Sequence, residues 1–213
     1  MVNFDPLTVL YIVLTIVPAL VLHEVAHGVV ADRLGDPTPR AMGRLTLNPI
    51  RHVDPFGTVV LPGLLILPYL FGRGVSPIFG YAKPMPINPG NLRNPETHTT
   101  VIAVAGPVTN LLLAVGGALV LRFVGLDTGA VSDFLQIWVF LNVLLAVFNI
   151  MPIPPLDGSK VLARVLPPRA REVYRSWDAY GALFMLVIFF LLPGAIFGLV
   201  NPVVEGLFTV LVR

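Results

Sequence analysis

The chain has 213 residues, of which 55% are hydrophobic and only 12% are charged, and its formal net charge is +2. This charged fraction is about half of that in a typical soluble domain, so the composition excludes a soluble enzyme, a disordered chain and a nucleic-acid binder. Because the sequence has no cysteine, any metal ion must be held by histidine and carboxylate side chains.

The first apolar stretch, about residues 7–31, is long enough to cross a bilayer, since about 20 helical residues span the hydrocarbon layer. Its second half contains His23-Glu24-Val25-Ala26-His27. Residues four apart share a helix face, so the two imidazoles can bind one zinc ion and Glu24 can act as general base. The alternative is three polar side chains that only form hydrogen bonds, although ionisable groups within a membrane segment are costly and by default functional.

The next apolar stretch, about residues 56–80, is short and is interrupted by Pro62 and Pro68. We interpret it as a re-entrant segment or a short broken pair of helices, which protein must bury at membrane depth; one ordinary short span is the alternative. Before it, residues 42–49 alternate between apolar and polar and predict a short strand. After it, residues 79–88 predict extended chain that either pairs with a substrate as an added strand or packs as a loop.

Three further apolar stretches predict transmembrane helices, at about residues 101–121, 134–151 and 179–200. The last apolar run continues to residue 212, which is too long for one straight crossing, so breaks are expected at Pro193 and at Asn201-Pro202. The expected fold is an all-α membrane protein. It is a polytopic helical bundle with a re-entrant segment and a short β-like loop at the cytosolic membrane edge, in a single domain over residues 1–213.

The distribution of positive charge supports the re-entrant interpretation. If residues 56–80 return to their starting side, three loops share one membrane face, at residues 32–55, 81–98 and 158–178. These loops hold eleven of the fourteen Lys and Arg residues, and the positive-inside rule then places them in the cytosol. We expect a multi-pass protein of the cell membrane with its active site near the cytosolic side. An ordinary span at residues 56–80 would weaken this charge bias.

A catalytic zinc site requires a third protein ligand, and the candidates are Asp32, His52, Asp54, Glu96, His98, Asp157 and Asp178. Asp157 is the best of these, because it ends a proline-rich exit from a predicted span, residues 149–158. The prolines forbid regular helix there, so the chain can turn and direct one carboxylate toward a neighbouring helix. The alternative is that Asp157 caps a short helix over residues 159–166, and the two roles are compatible.

Together these residues resemble the site-2 protease family of intramembrane zinc metalloproteases. The matching motifs are His23–His27, Asn149…Pro152…Pro154…Leu156-Asp157-Gly158, Gly106-Pro107…Asn110 and Phe79-Gly-Tyr-Ala-Lys-Pro84, the last two resembling the small bacterial and archaeal members. The resemblance implies that His23, His27 and Asp157 bind one Zn²⁺. It implies that Glu24 is the catalytic base and that Asn149, near the metal, contacts the substrate or the intermediate. The implied partners are the lipid bilayer and a membrane-protein substrate with a transmembrane helix.

Two other functions are compatible with the same residues. A membrane metalloenzyme with this zinc chemistry could hydrolyse a different bond, such as a lipid amide. A zinc transporter or a non-catalytic membrane scaffold belongs to another class, although a transporter is expected to place metal-binding side chains on several spans along a path. The sequence carries no signal for the physiological substrate or for the oligomeric state.

Overall fold

A computed structural model describes residues 5–60, 63, 80–125, 128–181, 183, 185, 187, 191 and 193–213. Its helices are α1 (Pro6–Arg33), α2 (Thr38–Ala41), α3 (Pro95–Val124), α4 (Ala130–Asn149), α5 (Asp157–Val165), α6 (Pro168–Ser176) and α7 (Pro193–Val212). Short helical turns lie at Pro49–His52, Pro55–Val60, Pro89–Asn91 and Trp177–Tyr180. Within these described ranges, four helices are long and apolar enough to cross a membrane, namely α1, α3, α4 and residues Gly194–Val212 of α7. The predicted all-α, multi-pass architecture is confirmed.

Helix α3 packs against α1, α4, α5 and α7, and α4 also packs against α1 and α7. Small residues on α3 allow this close packing. At Gly117 a Cβ atom would lie 2.7 Å from the ring of Trp138 on α4, and the neighbouring Ala118 is buried in the core beside Val139. Small side chains are the usual means of helix association in a bilayer, where lipid tails remove the hydrophobic drive that joins helices in water.

The outward faces of the long helices are apolar. Leu14 on α1, Leu112 on α3 and Leu199 on α7 are among many large hydrophobic side chains that the fold leaves exposed. A soluble protein rarely exposes apolar patches of this extent. Combined with the length of the helices, these faces fit contact with lipid tails.

Prolines within the long helices do not end them. Pro18, Pro107 and Pro202 lie inside α1, α3 and α7, so the break expected at Asn201-Pro202 is wrong. A proline in a membrane helix is tolerated because neighbouring groups and local adjustments satisfy the freed carbonyl. The fourth candidate span among the described residues is Gly194–Val212. The predicted span over residues 179–200 and the break expected near Pro193 lie partly outside the described residues.

A single buried carboxylate organises the loops near the end of α1. Asp36 accepts hydrogen bonds from the backbone N–H of Thr38 (3.1 Å), from the Thr38 hydroxyl (2.5 Å), from the backbone N–H of Asn88 (2.7 Å) and from the side-chain amide of Asn91 (2.8 Å). Burial raises the pKa of Asp36, but these hydrogen bonds outweigh it and hold the pKa below its ordinary value. The carboxylate therefore ties the end of α1 to the turn that precedes α3.

The predicted re-entrant segment, residues 56–80, lies mostly outside the described residues, but its two ends are described. The backbone N–H of Tyr81 donates to the carbonyl of Gly57 (3.0 Å), and the hydroxyl of Thr58 donates to the carbonyl of Tyr81 (2.8 Å). The chain therefore rejoins the described structure beside the place where it left. This adjacency supports a return to the starting side.

The described residues contain no β-strand. The predicted β-like loop is therefore irregular chain where it is described. Residues 42–49 form turns instead of the predicted strand, and Gly43 has a φ of +63°, a left-handed conformation that reverses the chain within the alternating pattern. Residues 80–88 form neither helix nor strand, and only Asn88 at their end is described with extended backbone angles. They bond to neighbouring chain at intervals, as where the Lys83 N–H donates to the His52 carbonyl (2.8 Å).

Candidate metal centre

Helix α1 supplies two imidazoles from the half of the helix nearer its C-terminus. Because His23 and His27 are one turn apart, their side chains lie on the same helix face, and their ring centroids are 4.6 Å apart. They are only 5% and 6% exposed. A buried imidazole requires partners for its ring nitrogens, and each histidine finds one for Nδ1 on a neighbouring helix.

Helix α3 presents the opposing face. Ile102, Gly106 and Asn110 are spaced one turn apart and so lie on one side of the helix. Nδ1 of His27 donates to the backbone carbonyl of Ile102 (2.7 Å), and Nδ1 of His23 lies 2.6 Å from Oδ1 of Asn110. Between these contacts, a Cβ atom on Gly106 would lie 2.5 Å from Nε2 of both imidazoles. Glycine at this position makes room for the two rings.

Asp157 reaches the imidazoles through a non-helical passage after α4. Three prolines lie within residues 150–156, where the chain is not helical. The next turn is possible only with glycine, because a Cβ atom on Gly158 would lie 1.9 Å from the backbone oxygen of Ile150. Asp157 becomes the first residue of α5, while Leu156 is the N-cap and no side-chain capping bond forms. The capping alternative for Asp157 is therefore wrong.

Three elements thus converge on one point. Oδ2 of Asp157 lies 3.1 Å from Nε2 of His23 and 3.3 Å from Nε2 of His27, and all three atoms lie within 4.8 Å of one another. We call these three side chains the ligand group. Within the described ranges no second set of three His, Asp or Glu side chains meets this distance. Two imidazoles and a carboxylate are typical zinc ligands, and Oδ2 is buried without a hydrogen bond, so the residues fit a metal ion.

Glu24 lies beside the ligand group with one oxygen unpaired. Its Oε2 atom is buried and has no hydrogen-bond partner, while the backbone of Met85 interacts with the carboxylate. The Met85 side chain packs against α1 at Gly28, where a Cβ atom would lie 3.0 Å from its sulfur. A buried polar atom without a partner costs about 1–3 kcal/mol. Such an atom beside a set of metal ligands is a candidate proton acceptor.

The other candidates for the third ligand lie outside the ligand group and have their own partners. Those partners are Arg40 for Asp32, Arg164 and Arg171 for Glu96, Lys160 for Asp178, the backbone of Phe56 and Gly57 for Asp54, the Thr46 carbonyl for His52 and the Asn94 N–H for His98. Of the seven acids and histidines considered, only Asp157 faces both imidazoles.

The structure shows the hydrogen bonds of three asparagines in or at the ends of the spans. The side-chain amide of Asn149 donates to the carbonyl of Leu145 in its own helix (2.9 Å), and the described contacts do not join it to the ligand group. Asn110 does contact His23, and its Nδ2 donates to Oδ1 of Asn142 (3.1 Å). Asn110 was not predicted to lie in the site, although the four-residue spacing from Ile102 through Gly106 could have indicated it.

Comparisons of the sequence with known proteins identify the family to which the chain is similar. A family described as Peptidase family M50 matches residues 123–192. YwhC of Bacillus subtilis, named as a candidate zinc metalloprotease, is 36% identical over 87% of this chain and 83% of its own length. The Rip2 proteins of Mycolicibacterium smegmatis and Mycobacterium tuberculosis, named in the same way, are both 31% identical. Their alignments cover 80% and 85% of this chain and 62% and 68% of their own lengths. No solved structure matches.

Proposed function

The chain belongs to peptidase family M50, and from this premise we propose that it is an intramembrane zinc metalloprotease. It would hydrolyse a peptide bond in or near the transmembrane segment of a membrane protein. The predicted family relationship, zinc metalloprotease activity and Zn²⁺ cofactor are confirmed at the level of the family. The substrate, the roles of single residues and the side of the membrane are our proposal.

One observation carries the proposal, which is the convergence of three metal-binding side chains inside a bundle of membrane-spanning helices. His23, His27 and Asp157 would hold the zinc ion. Three protein ligands are typical of catalytic zinc sites, whereas structural sites use four. When bound there, the ion supplies Lewis acidity, which polarises a carbonyl and lowers the pKa of water toward 7.

Glu24 is the proposed general base. Its unpaired Oε2 atom accepts a proton from the attacking water, whose oxygen forms a bond to the peptide carbonyl carbon. The carbon–nitrogen bond then breaks, and Glu24 returns the proton to the leaving amine nitrogen. One water is consumed and no further reactant is needed. Asn149 stays the proposed contact for the substrate, at the end of α4.

The proposed site lies in the cell membrane near its cytosolic face. His27 lies roughly 9 Å, at 1.5 Å per residue, from the end of α1 at Arg33. The adjacency of Gly57 and Tyr81 supports a chain that returns to this same face, which brings the basic loops together. Under the positive-inside rule such a face is cytosolic.

The substrate helix must open before it can react, because the carbonyls of an intact helix are held in its own hydrogen bonds. Residues 80–88 are free of helix and strand, and the backbone of Met85 contacts the Glu24 carboxylate, so we propose this stretch as the receiver of the opened chain. The N–H groups of Tyr81 and Lys83 already donate to neighbouring backbone. The opposite edge contains Pro84 and Pro86, which have no N–H. That edge offers carbonyl acceptors but lacks the N–H donors of a full β-ladder. A substrate strand added there would therefore be only partly paired.

The direct test is peptide hydrolysis by the purified protein in detergent or nanodiscs. With zinc, the wild-type protein is expected to cut a single-span model peptide, a chelator is expected to stop the reaction, and added zinc to restore it. Mass spectrometry of the products would locate the broken bond in or near the span. A zinc-loaded protein that leaves such peptides intact and hydrolyses a lipid amide would contradict the proposal.

The transporter alternative makes a different prediction, zinc flux across proteoliposomes. A transporter is expected to offer several metal-binding groups along a path. Across the residues that the structure describes, His, Asp and Glu form one such group. We therefore expect no zinc flux above that of empty vesicles, and a flux that exceeds this background would favour transport over hydrolysis.

A further inference from the structure

We propose that Asn142 and Asn110 form a hydrogen-bond relay that determines which nitrogen of His23 carries the hydrogen, and so frees Nε2 to bind the metal. The relay begins at the backbone carbonyl of Trp138 on α4 and ends at His23 on α1. The inference rests on the proposed function, because it assigns positioning roles to two residues that contact neither the substrate nor the ligand atoms.

The first step is the orientation of Asn142. Its Nδ2 donates to the backbone carbonyl of Trp138 (2.9 Å), an oxygen that can only accept hydrogen bonds. A side-chain amide has a donor end and an acceptor end, so the opposite atom, Oδ1 of Asn142, is left as an acceptor. That atom lies 3.1 Å from the amide nitrogen of Asn110.

Asn110 transmits the orientation from α3 to α1. Because its Nδ2 donates to Asn142, its own Oδ1 is directed at His23, 2.6 Å from Nδ1. This oxygen can only accept, so Nδ1 of His23 must carry the hydrogen. A neutral imidazole has one N–H, and the lone pair is then on Nε2, the atom that lies 3.1 Å from Oδ2 of Asp157.

Burial makes the relay effective. Asn110 and Asn142 are both 0% exposed, so no solvent can satisfy an amide that turns over. Reversal of Asn142 would bring two acceptors together at Trp138 and two donors together at Asn110, and reversal of Asn110 would bring two acceptors together at Asn142. The origin of the relay is also fixed, because the Trp138 indole N–H donates to the carbonyl of Leu113 on α3 (2.9 Å).

His27 reaches the same state without a relay. Its Nδ1 donates directly to the backbone carbonyl of Ile102, and a backbone carbonyl within a helix cannot reverse. The two metal-binding histidines therefore differ in how they can be disturbed. Side-chain substitution at positions 110 and 142 acts on His23, while the partner of His27 is backbone and stays in place.

The experiment measures Zn²⁺ affinity by competition with a chromophoric chelator, in purified protein with Glu24→Gln so that hydrolysis plays no part. Asn142→Leu and Asn110→Leu keep the number and branching of the side-chain heavy atoms but interrupt the relay. We expect each to weaken Zn²⁺ binding by about 10–100-fold, the usual effect of losing an outer partner of a metal ligand. Asn110→Asp retains an oxygen that accepts from Nδ1, so it is expected to bind Zn²⁺ nearly as tightly as the parent.

A buried position outside the relay supplies the control. Thr15 is 0% exposed and its hydroxyl has no partner, so Thr15→Val is expected to leave Zn²⁺ affinity unchanged. In addition, ¹⁵N NMR of labelled histidine is expected to show hydrogen on Nδ1 of His23 in the metal-free parent and a mixture of both forms in Asn142→Leu.

The outcomes separate the relay from simpler explanations. Folded Asn142→Leu and Asn110→Leu proteins that bind Zn²⁺ like the parent would overturn the relay. Equal loss in Asn110→Asp and Asn110→Leu would also overturn it, because packing alone would then explain the effect. A parent protein that binds no Zn²⁺ would instead overturn the proposed function.

Discussion

Asp36, which follows α1, and Asp157, which follows α4, differ in the groups that surround their carboxylates. Asp36 is fully buried and accepts four hydrogen bonds from backbone and side-chain donors. Asp157 directs a buried oxygen without a hydrogen bond at two imidazole nitrogens. Because its oxygens accept four hydrogen bonds, Asp36 holds the neighbouring loops together. Asp157 instead joins a set of electron-pair donors, an arrangement that a cation stabilises.

Glu24 extends this comparison, since it too has a buried oxygen without a partner. Buried polar groups are nearly always hydrogen-bonded, so the exceptions in one small volume need an explanation. The metal binding and proton transfer that we propose for these residues would explain both unpaired oxygens together. Substitutions at these acids can therefore test whether each one affects catalysis, zinc binding or stability.

The largest expected effect belongs to Glu24→Gln. Removal of the proton acceptor is expected to lower the rate of peptide hydrolysis by about 10²–10⁴-fold, while the ligand group still holds zinc. A fluorogenic single-span peptide would report the rate, and elemental mass spectrometry would report zinc per protein. Full activity in this variant would show that Glu24 is not the base.

Asp157→Ala is expected to act on the metal first. Loss of a direct ligand should weaken Zn²⁺ binding by more than about 100-fold, beyond the range for outer partners of a ligand. Activity would fall with zinc occupancy and recover in part at high zinc concentration. Unchanged zinc content would return Asp157 to a purely structural role.

Gly106→Ala tests the space around the imidazoles. The new Cβ atom would lie 2.5 Å from Nε2 of His23 and of His27, so the rings must move and Zn²⁺ affinity should fall by about 10-fold or more. The matched control is Gly116→Ala on the same helix, where the added atom meets nothing within 4 Å. Equal zinc affinity in the two variants would contradict the close approach of α3.

Asp36→Asn is expected to reduce stability without touching the metal. The neutral amide cannot satisfy all the donors that surround it, so the free energy of unfolding should fall by about 1–3 kcal/mol. Denaturant unfolding in detergent would measure this change, and Zn²⁺ affinity should equal that of the wild type. A loss of zinc comparable with that in Asp157→Ala would remove the distinction between the two acids.

The smallest effect concerns pH. Because the pKa of Asp36 is lower in the folded protein than in the unfolded chain, its contribution to stability is present above the unfolded value, about 3.9. That contribution is lost as the pH falls below this value and through the folded pKa. The stability difference between wild type and Asp36→Asn should therefore shrink on acidification. A difference that grows below pH 4 would reverse the assigned direction.

The ligand group was predictable because its chemistry depends on short-range pattern. Helical spacing placed His23 and His27 on one face, and the proline run marked Asp157 as the end of a chain forced out of helix. Element boundaries were less predictable. Helix α3 begins at Pro95, in polar sequence that no hydropathy window includes, because the Asn94 side chain accepts from the Thr97 N–H (3.2 Å) and caps the helix.

Other features depend on neighbours that sequence does not specify. The alternation over residues 42–49 suggested a strand, but a left-handed glycine at position 43 interrupts it. Pro202 suggested a break, but its helix continues. The contact between Asn110 and His23 spans 87 positions, and asparagine in a membrane span indicates only that some partner exists.

The adjacency of Gly57 and Tyr81 has a consequence for distance measurements. The two flanks are joined directly, since Tyr81 donates to the Gly57 carbonyl and accepts from the Thr58 hydroxyl. A pair of probes at positions 57 and 81 is therefore expected to report a short separation even in variants whose intervening residues are changed.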